Sequence, residues 1–193
     1  MKKVVLAGAL SLLLLPGIVL AGPGSVTGTV RLAPRPGLTT MGMANGDTGF
    51  GVPLTGKQEK ISRDTKLHLI SQNVDMSRLS ADEIEKWYKQ GETPAGQPIF
   101  ITTAKEDGSY EFANVPPGQY YLIIVAGQMD PVGNNNVTRT ALGEKLSKYL
   151  PNWDQFVVFN IGLNSAMVHE VSVADDASTS FNYDFGVSAF SNK

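Results

Sequence analysis

Alternating apolar and polar residues predict a strand at the start of the chain, in the segment SVTGTVRL (residues 25–32). One face of this segment consists of Val26, Gly28, Val30 and Leu32. Serine, threonine and arginine side chains alternate with them, which is typical of a half-buried strand. The glycine on the inward face indicates that a neighbouring side chain approaches the backbone closely.

The same alternation predicts a second strand over Thr65–Ser71, where leucines alternate with Lys66 and His68. This pattern assigns His68 to the more polar side of the strand. Two further strands are predicted at the end of the chain, over Met167–Val173 and Thr179–Val187. The last strand carries one aromatic face, formed by Phe181, Tyr183 and Phe185.

Three more strands are predicted in the middle of the chain. The first, Ile99–Lys105, leads into Asp107 and Gly108, a pair that favours the tight turn of a hairpin. On the return strand Tyr110 and Phe112 alternate with polar residues, which predicts that one face is buried. Two prolines end this strand, since proline has no N–H to donate to a ladder.

The third of these strands has a different pattern. Every residue from Tyr120 to Val125 is apolar or aromatic. A short apolar run without alternation is typical of a strand that is buried on both faces. We therefore expect this strand to lie centrally in its sheet.

Helical periodicity appears in two segments. In LSADEIEKWYKQG (residues 79–91), Ser80 and Glu83 have the spacing of a capping box, and Gly91 is a typical C-terminal residue. A second amphipathic helix is predicted just before Pro151, with its apolar side formed by Leu142, Leu146, Tyr149 and Leu150. The segment DQFVVFNIG that follows (residues 154–162) predicts a short strand or an extended stretch.

These elements predict an all-β fold, an antiparallel Greek-key β-sandwich of about seven strands. Two short helices are inserted between strands, and we expect them to cap the ends of the sandwich. The segments that interrupt the strand pattern lie near 33–63, 73–98 and 127–160. The first of them is rich in glycine and unusually long for a loop of a compact domain.

The middle segment GSYEFANVPPGQYYLIIV resembles the signature of the carboxypeptidase regulatory-like domain family, whose fold is transthyretin-like (prealbumin-like). The matching positions are Gly108, Tyr110, Phe112, Val115, Pro116, Pro117, Gly118, Tyr120 and Leu122. The opening strand and the closing segment HEVSVADDASTSFNYDFG also resemble this family, the latter its closing pair of strands. The resemblance implies a β-sandwich and says little about function. The inserts depart from the family pattern, so we expect a specific role to lie in them.

The N-terminus predicts export. Lys2 and Lys3 precede an apolar run, and small residues before Gly22 suit cleavage by signal peptidase, so residues 1–21 are interpreted as a signal peptide and 22–193 as a single domain. The run is shorter than the roughly 20 residues of a membrane-spanning helix. The chain has no cysteine, which excludes a lipid-anchored lipoprotein and a disulfide framework. We expect a periplasmic or secreted protein without a transmembrane span.

Little in the sequence points to catalysis. The two histidines are far apart without a second ligand at helical or strand spacing, so we expect no metal and no cofactor, with His68 at the surface and His169 half-buried. No nucleophile-elbow motif is present. The turns DPVGNNN and ADD offer oxygen ligands without calcium-loop spacing. The formal charge of −2 without a basic run argues against nucleic acid as a partner.

The remaining candidates are aromatic residues in or beside the inserts: Trp87, Tyr88, Trp153 and Phe156. Exposed, such rings stack on sugars or anchor a protein partner; buried, they pack the inserts onto the sandwich. The leading hypothesis is a non-enzymatic exported module that binds a protein partner or serves as an accessory subunit of a bacterial envelope assembly. The alternative is a carbohydrate-binding module that recognises a polysaccharide through Trp87 or Trp153. A third hypothesis is an enzyme with an unrecognised site.

Overall fold

A computed structural model describes residues 22–32, 65–129, 137 and 140–185. The predicted signal peptide, the long glycine-rich insert and the segment DPVGNNN lie outside these residues. The strands are β1 (Gly24–Arg31), β2 (Lys66–Ser71), β3 (Ile99–Thr103), β4 (Ser109–Val115), β5 (Gly118–Met129), β6 (Asn164–Val173), β7 (Ser178–Ser180) and β8 (Tyr183–Asp184). No helix among the described residues is both long and apolar enough to cross a membrane.

The strands form two four-stranded sheets, which confirms the predicted β-sandwich. In the first sheet β1 lies between β4 and β7, and β8 continues along the same edge of β1. The second sheet has the order β3-β2-β5-β6, and all of its pairs are antiparallel. In the first sheet the predicted antiparallel pairing is confirmed for β1 and β4 and is wrong for the other two pairs, since β7 and β8 both run parallel to β1. The single strand predicted over Thr179–Val187 is divided into β7 and β8.

Two predicted strand pairs are not hairpins. The turn at Asp107 and Gly108 forms as expected, closed by a hydrogen bond from the Gly108 N–H to the Lys105 carbonyl. However, β3 pairs with β2 in the second sheet, and β4 pairs with β1 in the first. The turn therefore carries the chain from one sheet to the other. The closing strands β6 and β7 likewise belong to different sheets.

The core between the sheets consists of alternating residues from both of them. Its larger members are Val26, Val30, Leu67, Leu69, Tyr110, Phe112, Tyr120, Leu122, Ile124, Val171 and Val173. The close approach predicted at Gly28 is present: a Cβ there would lie 1.8 Å from the Phe181 carbonyl oxygen and 2.8 Å from the Tyr110 hydroxyl. The nearest group is thus a backbone carbonyl and not the expected side chain.

Helices cover the other face of the second sheet. They are α1 (Ala81–Gln90), α2 (Ala141–Tyr149) and α3 (Trp153–Phe156), together with a 3₁₀ turn (Met76–Arg78) and a π-helical turn (Val157–Ile161). The capping box of α1 is confirmed, with Ser80 and Glu83 each accepting a hydrogen bond from the other's backbone N–H. The expectation that the helices cap the ends of the sandwich is wrong, because they form a layer against the sheet.

This helical layer creates a second core. It contains Ile70, Trp87, Tyr88, Tyr121, Ile123, Val125, Leu146, Leu150, Phe156, Ile161 and Val168. The prediction for β5 is confirmed: it lies between β2 and β6 and is buried on both faces from Tyr120 to Val125. The same layer buries the side of β2 that the alternation assigns to solvent. His68 is therefore fully buried, and its predicted place at the surface is wrong.

Candidate binding surface

The structure brings the four predicted aromatic residues together in one cluster. Phe156 lies at its centre, with ring centroids 5.2 Å from Tyr88, 6.3 Å from Trp87 and 5.7 Å from Trp153. Trp87, Tyr88 and Phe156 are buried, and Trp153 is half-buried. Of the two alternatives that the sequence leaves open, the three buried rings follow the second and pack the inserts onto the sheet.

The cluster supports a short helical segment that turns back towards β6. Phe156 and Ile161 are both buried, and their spacing of five residues is that of a π-helical turn. Hydrogen bonds fix this segment to α1: the Tyr88 hydroxyl donates to the Pro151 carbonyl at 2.8 Å, and the Asn160 side-chain amide donates to the Tyr88 carbonyl at 3.3 Å. Gly162, with φ +57°, ends the turn. The expected strand or extended stretch over 154–162 is therefore wrong.

The outer side of this segment is unusually apolar. Val158 is 67% exposed, Phe159 48% and Leu163 74%, and these are the large apolar side chains that stand exposed among the described residues. We refer to these three residues as the apolar patch. Large apolar side chains grouped within six residues at a surface are typical of interaction sites, whereas single exposed ones need no explanation.

Polar residues border the apolar patch. A shallow depression of about 310 Å³ is lined by Val158 and Phe159 together with Lys89, Asp154 and Gln155. The Lys89 ammonium lies 5.3 Å from the centre of the Phe159 ring and forms an ion pair with Glu85 on α1. Side chains of this kind offer an apolar centre with a charged rim, which is the anatomy of many protein-binding surfaces.

The apolar patch is not among the residues that the strand and aromatic patterns single out. The segment DQFVVFNIG (residues 154–162) nevertheless contains a pattern that could predict the apolar patch. If Trp153–Ile161 is read with helical spacing, Trp153 and Phe156 share one face, and Val158 and Phe159 fall on the opposite face with Gln155. Apolar residues on the face that periodicity assigns to solvent would then mark the surface.

The two histidines do not form a joint site. His68 on β2 is in register with Ile123 and Val168, and all three face the helical layer. His169 follows Val168 directly and therefore points to the other face of the sheet, because side chains alternate along a strand. There it packs against Phe181, with ring centroids 4.5 Å apart, and burial lowers its pKa. The residues that the structure describes contain no group of three possible metal ligands.

Comparison with known proteins adds two remote structural likenesses. No protein-family model matches the chain, and no curated protein matches it significantly. A crystal structure from Pseudomonas aeruginosa, described as a "putative carbohydrate binding protein", is 14% identical over 85% of this chain and 89% of that chain, with a TM-score of 0.38. The SpaA pilin of Corynebacterium diphtheriae, solved as a complex with a signal peptide, is 14% identical over 83% and 96%, with a TM-score of 0.28. TM-scores of this size establish neither a shared fold nor a shared function.

Proposed function

We propose that this chain is an exported, non-enzymatic module of the bacterial cell envelope that binds a protein partner through the apolar patch. In this proposal residues 1–21 are removed on export, and the mature domain is a Greek-key sandwich of the carboxypeptidase regulatory-like type. The positions of the signature residues support the family assignment. Gly108 lies in the turn before β4, Tyr110 and Phe112 fill the core, and Pro116 and Pro117 separate β4 from β5.

The observation that carries the proposal is the exposure of Val158 and Leu163. Both are aliphatic, so neither offers a ring for stacking on a sugar or a group for acid–base chemistry. Their exposure leaves apolar area in water, which is unfavourable by about 25 cal/mol for each Å². A protein partner that covers both side chains recovers this free energy, so partner binding explains why they are found at the surface.

Phe159 is the natural anchor of such an interface. It is the aromatic member of the apolar patch, and Lys89 lies against its ring. Binding energy at protein interfaces is concentrated in a few central aromatic or arginine side chains, while a polar rim excludes water around them. Lys89, Asp154 and Gln155 would form part of that rim.

Carbohydrate binding is the second candidate, for a different reason. The depression beside Phe159 combines an aromatic ring with an ammonium, a carboxylate and an amide group. A sugar needs such hydrogen-bonding groups next to a ring face. This candidate uses Phe159, Asp154 and Gln155, and it does not use Trp87, which is fully buried.

The test is site-specific photo-crosslinking in living cells. A photoreactive residue replaces Leu163 in one variant and, as the control, Glu111, an exposed residue of the first sheet. We expect a discrete crosslinked protein from position 163 and none from position 111. Val158→Asp should abolish the crosslink without changing the melting temperature, since this side chain is mostly exposed.

Two outcomes would overturn the proposal. One is the same crosslinking pattern from positions 163 and 111, which would indicate non-specific proximity. The other is the absence of a protein crosslink together with retention on an envelope polysaccharide that Asp154→Ala and Phe159→Ala abolish. The second outcome would establish the carbohydrate-binding alternative.

A further inference from the structure

His68 is a buried titratable residue without a hydrogen-bond partner. It is 1% exposed, and neither ring nitrogen finds a donor or an acceptor among the described residues. A neutral imidazole carries one donor and one acceptor, and a protonated imidazole carries two donors and a charge. Both forms are therefore poorly accommodated at this position, and the charged form is the worse of the two.

The imidazole touches the segment that carries the apolar patch. Its ring packs against Phe156 at a centroid distance of 5.5 Å and an interplanar angle of 70°. Phe156 ends α3 and begins the π-helical turn, so Val158 and Phe159 follow it within three residues. A disturbance at His68 thus reaches the apolar patch through a single aromatic contact.

No acidic side chain among the described residues is buried with His68, where it could stabilise the imidazole's charge. Lys66, on the same face of β2, adds a positive charge that opposes protonation. Burial raises the pKa of the Tyr88 and Tyr149 hydroxyls on α1 and α2, so neither supplies a negative charge to this core. The carboxylates of the helical layer and of β6 that the structure describes are exposed or half-buried; they are Asp75, Asp82, Glu83, Glu85, Glu144, Asp154 and Glu170. Glu170 lies on the same face of the sheet as His68, where it forms an ion pair with Lys145 of α2.

We propose that His68 makes the apolar patch responsive to pH: protonation of its imidazole loosens α3 and the π-helical turn from the second sheet and so weakens partner binding. The link to binding rests on the function proposed above. The loosening itself is a property of the chain and does not depend on the identity of the partner. A response to pH suits an exported protein, because such a protein is exposed to the pH outside the cytoplasm.

The direction follows from the imidazole's two environments. Burial, and secondarily Lys66, lowers the pKa of His68 from 6.5 to about 4 in the closed structure. In an opened structure the ring is hydrated and its pKa returns towards 6.5. The opened form therefore binds more protons between these two values, and opening becomes easier as the pH falls through this range, by at most about tenfold for each pH unit.

Hydrogen–deuterium exchange of the full mature chain tests the loosening. Protection of the peptide spanning 153–161, corrected for intrinsic exchange, is measured from about pH 7 to about pH 4.5 and compared with that of β1. We expect protection of 153–161 to fall by up to about tenfold for each pH unit while β1 stays protected. His68→Phe, which keeps a ring against Phe156, should remove the fall, and the matched control His169→Phe should retain it.

An equal loss of protection in His68→Phe would overturn the inference. So would an NMR titration of the wild-type protein in which the folded His68 imidazole protonates near its ordinary pKa. This second measurement decides the matter even if His68→Phe does not fold. Crosslinking from position 163 at both pH values then tests the link to binding: the yield should fall with pH in the wild type and persist in His68→Phe. If exchange responds to pH but no partner is captured, only the proposed function fails.

Discussion

The two faces of β5 look into two different cores. On one face Tyr120, Leu122 and Ile124 pack between the sheets, where the tyrosine hydroxyls of Tyr110 and Tyr120 donate hydrogen bonds to backbone carbonyls at 2.6 Å. On the other face the core under the helices contains the unpartnered ring nitrogens of His68 and Trp87. A buried polar group without a partner costs about 1–3 kcal/mol.

This difference indicates that the two cores have different roles. In the core between the sheets, one buried side-chain nitrogen of the described residues, on His169, lacks a hydrogen-bond partner. The core under the helices leaves three such nitrogens among the described residues, and it lies directly beneath the apolar patch. Unsatisfied buried groups lower the local stability of the region that contains them. Regions of low local stability are the ones that open most easily in native proteins. We therefore interpret the first core as the frame of the fold and the second as its adjustable part.

The largest expected effect is that of Trp87→Ala. Trp87 is 0% exposed and connects α1 with Phe156, so its removal leaves a cavity under the helical layer. We expect the free energy of unfolding to fall by about 3–5 kcal/mol, measured by urea denaturation. Trp87→Phe, which keeps an aromatic ring and removes the unpartnered N–H, should cost much less. A loss below about 1 kcal/mol in Trp87→Ala would mean that the helical layer contributes little to the fold.

Gly28→Ala tests the frame with a smaller expected effect. The added methyl group would overlap the Phe181 carbonyl oxygen, which is backbone and cannot rotate away. We expect a loss of about 1–3 kcal/mol, together with displacement of the segment between β7 and β8. Thr27→Ala, on the opposite face of β1, is the control. Equal melting temperatures for the wild type and Gly28→Ala would show that the first sheet is more adaptable than this comparison implies.

The elements that the sequence predicts well are those with a local cause. The capping box of α1 depends on residues three apart, and the position of β5 follows from an apolar run without alternation. The burial of His68 has no such local cause. The strand pattern assigns it to the polar side, and it is buried because helices from two inserts, one of them far along the chain, cover that face of β2. Only the tertiary arrangement decides this.

The apolar patch is difficult to predict because the sequence around it fits two kinds of secondary structure. In DQFVVFNIG a short apolar run fits a strand as well as a helix, and the strand interpretation gives Val158 and Phe159 no special place. The aromatic candidates converge as a group, but sequence alone could not distinguish rings that bind from rings that support. Phe156 and Trp87 are buried and support the segment from below. The exposed residues of the apolar patch follow Phe156 in the chain, and all but Phe159 are aliphatic.

The smallest expected effects come from two tyrosine hydroxyls, one in each core. Tyr110→Phe removes the hydrogen bond to the Phe181 carbonyl, and Tyr88→Phe removes the one to the Pro151 carbonyl. Each keeps its ring, so each should cost only about 1 kcal/mol in urea denaturation. Because both acceptors are backbone carbonyls of half-buried residues, the two losses should be similar even though the cores differ. If Tyr110→Phe lowered the free energy of unfolding and Tyr88→Phe did not, water would be replacing the lost hydrogen bond under the helices. The adjustable character of that core would then depend on hydration as well as on packing.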